Sequence, residues 1–289
     1  MLVFIIPIKS ARISRNWELS CRLFERCLRS ICNQTTPDFR VVVVCNERPA
    51  IKFSHPAVHY IEVDFPPPVS EPGDEHSTGY DYGYSRDIAR KNADKARKIQ
   101  TALEYARRYH PTHNMVVDAD DCVSPRLAEF VQRNSTSDGW YIKKGYMYPE
   151  GGRFVLLNVR NFYQICGSSV IIAYGHRQAL FSKPDFYEHT FDVPPAGVAL
   201  TPLPFVGAVY SMANGDNIYM SAETKHQIHG TWLRRLFSRE LFSLVQKALK
   251  YRPALLTGAI RSEFGLYEIT AEDRPKREPA QGNEMGCPS

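Results

Sequence analysis

The sequence lacks any apolar run of about 18 to 20 residues, the length that a membrane-spanning helix requires. Its seven cysteines form an odd set without a C-x-x-C pair, a pattern that fits neither a secreted disulfide framework nor a four-cysteine zinc site. The opening residues 1–8 are apolar, but no basic segment precedes them, and they predict a strand rather than a signal peptide. We therefore expect a cytoplasmic protein, either soluble or peripheral to the inner face of a membrane.

The net charge of the chain is also small. A formal net charge of +5 spread over 289 residues suits a protein with a small anionic ligand, but it is too dispersed to indicate nucleic acid as a partner. The hydrophobic fraction of 43% and the aromatic fraction of 12% exclude a disordered chain. A chain of this length is expected to form one α/β catalytic unit with a sizeable core.

The first half alternates apolar β-branched runs with amphipathic segments. Strands are predicted at residues 2–8, 39–45, 58–63 and 114–117, and helices at residues 18–34 and 85–109. Strand, helix and strand in this order predict right-handed parallel crossovers, and ligands of such sheets bind at the carboxyl ends of the strands. Residues 64–84 form a long polar loop between the third strand and the second helix.

The pattern changes after the fourth predicted strand. A short helix is predicted at residues 125–133, and residues 139–174 alternate apolar runs with glycine, which favours mixed or antiparallel strands. An amphipathic helix is predicted at residues 232–252; it either packs on the core or lies on an anionic membrane surface. We divide the chain into a donor half at residues 1–134, an acceptor half at residues 135–270 and a disordered tail at residues 271–289.

An acidic cluster, Asp118-Ala119-Asp120-Asp121, directly follows the strand predicted at residues 114–117. Adjacent carboxylates repel each other, and a divalent cation removes this conflict. Mg²⁺ and Mn²⁺ take oxygen ligands, often one or two carboxylates together with substrate phosphates. The alternative is structural, because Asp121 or Ser124 could cap the helix predicted to begin at Pro125.

The chain resembles the GT-A glycosyltransferases, in particular the inverting family 2. The resemblance is carried by four segments in family order within the first 130 or so residues: FIIP at 4–7, LRSICNQT at 28–35, FRVVVV at 39–44 and VVDADD at 116–121. It implies a GT-A fold, which is a mixed, mainly parallel central sheet flanked by helices. It also implies a nucleoside diphosphate sugar as donor and Mn²⁺ or Mg²⁺ as cofactor.

The resemblance also implies roles for residues at the donor side. Pro7 and Ile8 line the pocket for base and ribose, Asp118 approaches the ribose and the metal, and Asp120 binds the metal. The family has an acidic residue after its second strand for the base, whereas this chain has Cys45-Asn46-Glu47, so either Asn46 or Glu47 takes that role. Further donor contacts are expected from a second group of residues: Lys95 and Lys98, which could meet one anion together, and Gly167, which permits close backbone approach.

The acceptor side is less well defined. Inverting transfer requires a general base, and the family uses a carboxylate downstream of the sugar-binding segment. The chain has no Glu-Asp pair there, and Glu188 is our first candidate, with Asp192 as the second and Asp216 as a weaker alternative. His229 is a candidate metal ligand from a C-terminal loop, as is His226 three residues earlier. Trp140, Tyr146 and Tyr148 are candidates for an acceptor platform or for the core.

The predicted reaction moves a hexosyl unit from a UDP- or GDP-sugar to a hydroxyl group of a saccharide or lipid-linked acceptor, with metal dependence and inversion. One alternative is a nucleotidyltransferase on a similar sheet, but the glycine-rich loop of that class is missing from Pro7-Ile8-Lys9-Ser10. The other alternative is a non-catalytic module that binds a sugar nucleotide or a glycan.

Overall fold

A computed structural model describes residues 1–69, 86–187, 197–212 and 250–269. The strands in these ranges are β1 (Leu2–Pro7), β2 (Phe39–Cys45), β3 (Val58–Glu62), β4 (His113–Val116), β5 (Cys122–Val123), β6 (Gly139–Tyr141), β7 (Gly145–Pro149), β8 (Phe154–Asn158), β9 (Val170–Ala173), β10 (Phe181–Lys183), β11 (Phe186–Tyr187), β12 (Thr201–Pro202), β13 (Ala208–Met212) and β14 (Tyr251–Leu255). The α-helices are α1 (Trp17–Cys32), α2 (Arg86–Ala106), α3 (Leu127–Arg133) and α4 (Gly258–Phe264).

The central sheet has seven strands in the order β12-β6-β9-β4-β1-β2-β3. Strands β4, β1, β2 and β3 are parallel to one another, and β9 is antiparallel to both of its neighbours. The structure confirms the mixed, mainly parallel central sheet flanked by helices that the resemblance implies. Strands β6, β9 and β12 come from residues 135–270, the predicted acceptor half, so both predicted halves contribute to this sheet.

Strand β1 lies at the centre of the core because its two faces are both apolar. Phe4 and Ile6 pack with Phe24 and other residues of α1, whereas Val3 and Ile5 pack with the alanine-rich face of α2. Successive side chains of a strand point to opposite faces, so a continuous apolar run suits a strand covered by helices on both sides. All residues from Leu2 to Ile6 are fully buried.

A second sheet has the order β14-β8-β7-β13-β5, and α4 packs against it through Phe264. Its strand β5 begins directly after Asp121, so the acidic cluster joins the two sheets. The predicted helix at residues 232–252 is wrong at its end, because Tyr251 and Arg252 lie in β14 and pair with β8. Residues 232–249 of that helix and the tail at residues 271–289 lie outside the described residues.

Within the described ranges, no helix is long and apolar enough to cross a membrane. The predicted helices at residues 18–34, 85–109 and 125–133 correspond to α1, α2 and α3, with ends shifted by a few residues. The division into donor and acceptor halves at residue 134 stays a prediction.

Candidate functional site

The acidic cluster forms a turn at the carboxyl edge of the parallel strands. The N–H of Val117 donates to the Ile5 carbonyl at 2.8 Å and extends the pairing of β4 with β1 by one residue. The N–H of Asp121 then donates to the Asp118 carbonyl at 3.0 Å and closes the turn. The N–H of Asp118 donates to the Ser168 hydroxyl oxygen at 2.8 Å, which fixes the turn to the segment before β9.

Asp121 is fully buried and holds three segments together. Its carboxylate accepts hydrogen bonds from the Ser168 hydroxyl at 2.7 Å, the Cys166 thiol at 3.2 Å and the Ser211 N–H of β13 at 3.1 Å. Burial, reinforced by the charges of Asp120 and Asp118, raises the pKa of Asp121 well above its usual range. Asp121 is therefore a structural support of the turn, and it is not placed to bind a ligand.

The capping role that we considered for Asp121 is wrong, because α3 begins at Leu127 and its N-cap is Arg126, without a side-chain capping bond. The Ser124 hydroxyl accepts the Arg126 N–H at 3.4 Å just before α3, and its backbone N–H donates to the Gly207 carbonyl at 2.9 Å.

Asp118 has its carboxylate at the surface of the turn, where 30% of the side chain is exposed. The ammonium of Lys95 on α2 donates to its Oδ1 at 2.5 Å. A Cβ atom on Gly167 would lie only 2.4 Å from Oδ2 of Asp118, so a residue with a side chain at this position would displace the carboxylate. The structure thus brings together Asp118, Lys95 and Gly167, which the sequence analysis names as donor-site candidates.

Tyr187 completes this cluster, and the sequence analysis does not identify it. Its ring centroid lies 5.0 Å from the Lys95 ammonium, and its hydroxyl donates to the Gly167 carbonyl at 3.2 Å. Its backbone N–H donates to the Asn92 side chain of α2 at 2.9 Å. The only signal in the sequence is an aromatic residue next to the candidate base Glu188, since Tyr187 is far from Asp118 along the chain.

Asp120 is partly exposed in the same turn and lies between Asp118 and Asp121 in the sequence. No group of three or more His, Cys, Asp or Glu side chains suited to a metal occurs among the described residues. Asp118 and Asp120 supply hard oxygen donors, and Mg²⁺ or Mn²⁺ commonly takes one or two carboxylates with substrate phosphates. Within the described residues, Asp118 and Asp120 are the two carboxylates that this turn offers as candidate ligands.

Lys98 lies one helical turn after Lys95 but is fully buried. Its ammonium donates to the Ile8 carbonyl at 2.9 Å and to Asp94 at 2.7 Å, so it anchors α2 to the segment that follows β1. Lys95 and Lys98 therefore do not reach one anion together.

The two residues predicted to line the base pocket differ in exposure. The side chain of Ile8 is in the core, with 3% exposure, whereas Pro7 is partly exposed at the end of β1.

Asn46 and Glu47 follow β2 and have different partners. Glu47 accepts the Ser10 hydroxyl and the Ala11 N–H, both at 2.9 Å, and so shapes the segment after β1. The Asn46 amide donates to the Phe65 carbonyl at 2.8 Å. Its Oδ1 atom is buried and accepts no hydrogen bond from the described part of the chain. Of the two candidates, Asn46 retains an acceptor for a ligand at this edge.

Arg26 lies behind the turn and was also missed by the sequence analysis. Its guanidinium makes a bidentate pair with Glu150 at 2.9 and 2.7 Å and donates to the Ser211 hydroxyl at 3.2 Å. Burial opposes the charged form, but the hydrogen bonds and charge of Glu150 outweigh it and raise the pKa of Arg26. The available signal was a charge within the apolar stripe of α1, seven residues after Leu19.

Several predicted residues cannot be placed. Glu188, Asp192, Asp216, His226 and His229 lie outside the described residues. Two of the three candidate platform aromatics are core residues, because Tyr148 is fully buried and Trp140 is 5% exposed. Tyr146, in strand β7 of the second sheet, is partly buried and packs against Phe264 of α4.

No family model matches the chain, and no curated protein sequence matches it. Among solved structures, it is similar to TarS of S. aureus, with 15% identity, a TM-score of 0.40 and 82% of this chain covered. The chain spans 44% of that TarS chain and 60% of its 1–349 fragment. The TarS 1–349 complex with UDP gives 17% identity, a TM-score of 0.39 and coverage of 84% of this chain and 74% of that one. HddC from Yersinia pseudotuberculosis gives 11% identity, a TM-score of 0.31 and coverage of 73% and 89%.

Proposed function

We propose that the chain is a glycosyltransferase that moves a hexosyl unit from a nucleoside diphosphate sugar to a hydroxyl acceptor. The observation that carries the proposal is the turn at the carboxyl edge of the sheet, where Asp118 and Asp120 are partly exposed while Asp121 is buried beneath them. Buried carboxylates cost free energy unless they are hydrogen-bonded, and Asp121 accepts three hydrogen bonds that hold the turn. A turn fixed in this way would present Asp118 and Asp120 to a ligand.

Asp118 and Asp120 would hold a Mn²⁺ or Mg²⁺ ion together with the donor diphosphate. When bound, such an ion neutralises the charge that develops on the departing nucleoside diphosphate. Ser168 keeps Asp118 in position through its hydroxyl, and Gly167 leaves room for the carboxylate beside it. Asn46, whose buried Oδ1 accepts no hydrogen bond from the described residues, would accept one from an N–H group of the base, which is a donor that both uracil and guanine carry.

The acceptor hydroxyl needs a base, for which Glu188 and then Asp192 remain our candidates, with inversion as the expected outcome. A carboxylate there would remove the proton of the hydroxyl as it attacks the sugar. The acceptor is proposed to be a saccharide or a lipid-linked saccharide, and His229 remains a candidate third ligand of the ion. A cytoplasmic location and membrane contact through residues 232–252 remain part of the same proposal.

The test is release of UDP or GDP from a panel of sugar nucleotides in the presence of Mn²⁺. We expect slow hydrolysis of at least one donor, and Asp120→Ala should lower its rate by about two orders of magnitude, as is typical for loss of a group that stabilises developing charge. Glu104→Gln, which changes an exposed acid of α2 paired with Arg107, is the matched control and should retain the wild-type rate.

The outcomes separate the proposal from its alternatives. Nucleotide binding without hydrolysis of any donor would indicate a binding module rather than an enzyme. Release of pyrophosphate from a nucleoside triphosphate and a sugar phosphate would indicate a nucleotidyltransferase.

A further inference from the structure

Lys95 differs from the lysines that precede and follow it on the same helix. Lys91 pairs with Asp87 at 2.6 Å and Lys98 pairs with Asp94 at 2.7 Å, each with an acid four residues earlier on α2. The residue four positions before Lys95 is Lys91, so the helix offers Lys95 no acid at that position. Its ammonium instead leaves the helix surface and binds Asp118.

The surroundings of Lys95 hold the ammonium at this carboxylate. Gly167 lies on one side, where an added Cβ atom would be 3.5 Å from the ammonium, and the ring of Tyr187 lies at 5.0 Å. Aromatic faces attract cations, and the Tyr187 hydroxyl is itself bound to the Gly167 carbonyl. The ion pair is nevertheless accessible, because both side chains are about 30% exposed, with 28% for Lys95 and 30% for Asp118.

A divalent ion on Asp118 competes with this ammonium. Such an ion would lie about 2.0 to 2.1 Å from a carboxylate oxygen, close enough to the ammonium for strong repulsion between the two positive charges. The lysine stem is flexible, so its ammonium can move without a change in the backbone. The nearest new negative charge would be the diphosphate that arrives with the ion.

We propose that Lys95 is an internal counter-ion of the donor site, which neutralises Asp118 in the absence of ligand and transfers to the donor diphosphate when the metal ion binds. This inference rests on the proposed function. It makes metal binding and nucleotide binding mutually dependent, since each ligand favours the position of Lys95 that the other requires. The ion alone binds weakly because it must displace the ammonium without offering it another partner.

The experiment uses calorimetry with the full chain and the variant Lys95→Met, which keeps an unbranched stem and removes the charge. Mn²⁺ without nucleotide should bind the variant about two- to fivefold more tightly than wild type, the effect of removing one competing, partly exposed ion pair. UDP in saturating Mn²⁺ should bind the variant about tenfold more weakly, because a charged hydrogen bond to the diphosphate is lost.

Three further variants serve as controls. Lys95→Gln is a second neutral substitution and should behave like Lys95→Met even if the methionine variant does not fold. Lys95→Arg keeps the charge and should keep the weak binding of Mn²⁺ alone. Lys91→Met removes the charge that pairs with Asp87 one turn earlier on α2 and should match wild type in both titrations.

The inference is overturned if the neutral variants bind Mn²⁺ alone no more tightly than wild type while wild type binds UDP with Mn²⁺. It is also overturned if they gain metal affinity but bind UDP in Mn²⁺ as tightly as wild type, because Lys95 then does not reach the diphosphate. A wild-type protein that binds neither UDP nor GDP with Mn²⁺ contradicts the proposed function itself.

Discussion

Gly167 lies against the carboxylate of Asp118 in the candidate site. Because Gly167 has no side chain, the Asp118 carboxylate can occupy the space beside it. A Cβ atom on Gly167 would meet the end of the Asp118 side chain at 2.4 Å, whereas it would meet no backbone atom at that distance. The end of a side chain can move at small cost to the fold. A methyl group at residue 167 should therefore affect function more than stability.

We expect Gly167→Ala to weaken UDP binding in saturating Mn²⁺ by about tenfold, the effect of losing roughly one hydrogen bond to a charged group. The free energy of unfolding should change by less than about 1 kcal/mol, as for most substitutions that do not disturb the core. Calorimetry and chemical denaturation measure the two quantities. Gly175→Ala is the control, because a Cβ atom there would meet nothing within 4 Å.

The opposite result would be a large loss of stability with unchanged affinity. In that case Gly167 would be required by the packing of the segment before β9 and not by the position of Asp118.

The spacing of Lys95 and Lys98 in the sequence predicts that they act as a pair, but the two side chains have different partners in the structure. Both lie on the same side of α2, yet Lys98 is buried under the segment after β1 while Lys95 reaches Asp118. Asn46 and Glu47 differ in the same way, since contacts with distant segments occupy Glu47 and leave an acceptor on Asn46. Local patterns place these residues next to one another in the sequence, and only tertiary contacts distinguish their surroundings.

At the scale of elements, helix α1 joins the central sheet to the second sheet through Arg26. Most of the buried face of α1 is apolar, but Arg26 is fully buried and paired with Glu150 at the end of β7. Removal of one partner of a buried ion pair leaves the other as an uncompensated charge. The pair also contacts Ser211, whose N–H is bound to Asp121, so it supports the acidic turn from behind.

We expect Arg26→Met to lower the free energy of unfolding by about 3 to 5 kcal/mol, the range for breaking a buried pair. The double variant Arg26→Met with Glu150→Met should recover a large part of this loss, because no buried charge is then left without a partner. Chemical denaturation of both variants measures the difference. Arg22→Met, which removes an exposed pair with Glu18 one turn earlier, should cost less than about 1 kcal/mol.

Equal losses in Arg22→Met and Arg26→Met would contradict this account of α1. So would a double variant that is less stable than Arg26→Met alone.

Elements with a strong local period were predictable, and those defined by pairing with distant strands were not. The apolar run of β1 and the apolar stripe of α1 can each be recognised from the residues of that segment alone. Strand β14 has no such signal, because its residues are set by antiparallel pairing with β8, almost a hundred positions earlier. The amphipathic pattern of the preceding residues continues into Tyr251 and Arg252, which is why the sequence predicts a helix there.

At the scale of the whole molecule, the acidic turn is the junction between the two sheets. The chain leaves the central sheet at β4, passes through residues 118–121 and enters the second sheet at β5. Asp121 binds Ser168 beside the central sheet and Ser211 in the second, so the exposed carboxylates are in place only when both sheets are formed. The sequence predicted the motif and its sheet, but not this dual attachment, because β13 is about ninety residues away.

The central claim is that the turn binds a nucleoside diphosphate through a divalent ion. Calorimetric titration of the wild-type protein with UDP and with GDP, each with and without Mn²⁺, tests it most directly. We expect at least one of the two nucleotides to bind in Mn²⁺ and to lose at least about tenfold in affinity without it, a coupling free energy of about 1.4 kcal/mol. Absence of binding to both nucleotides, or affinities that do not change with Mn²⁺, would contradict the claim.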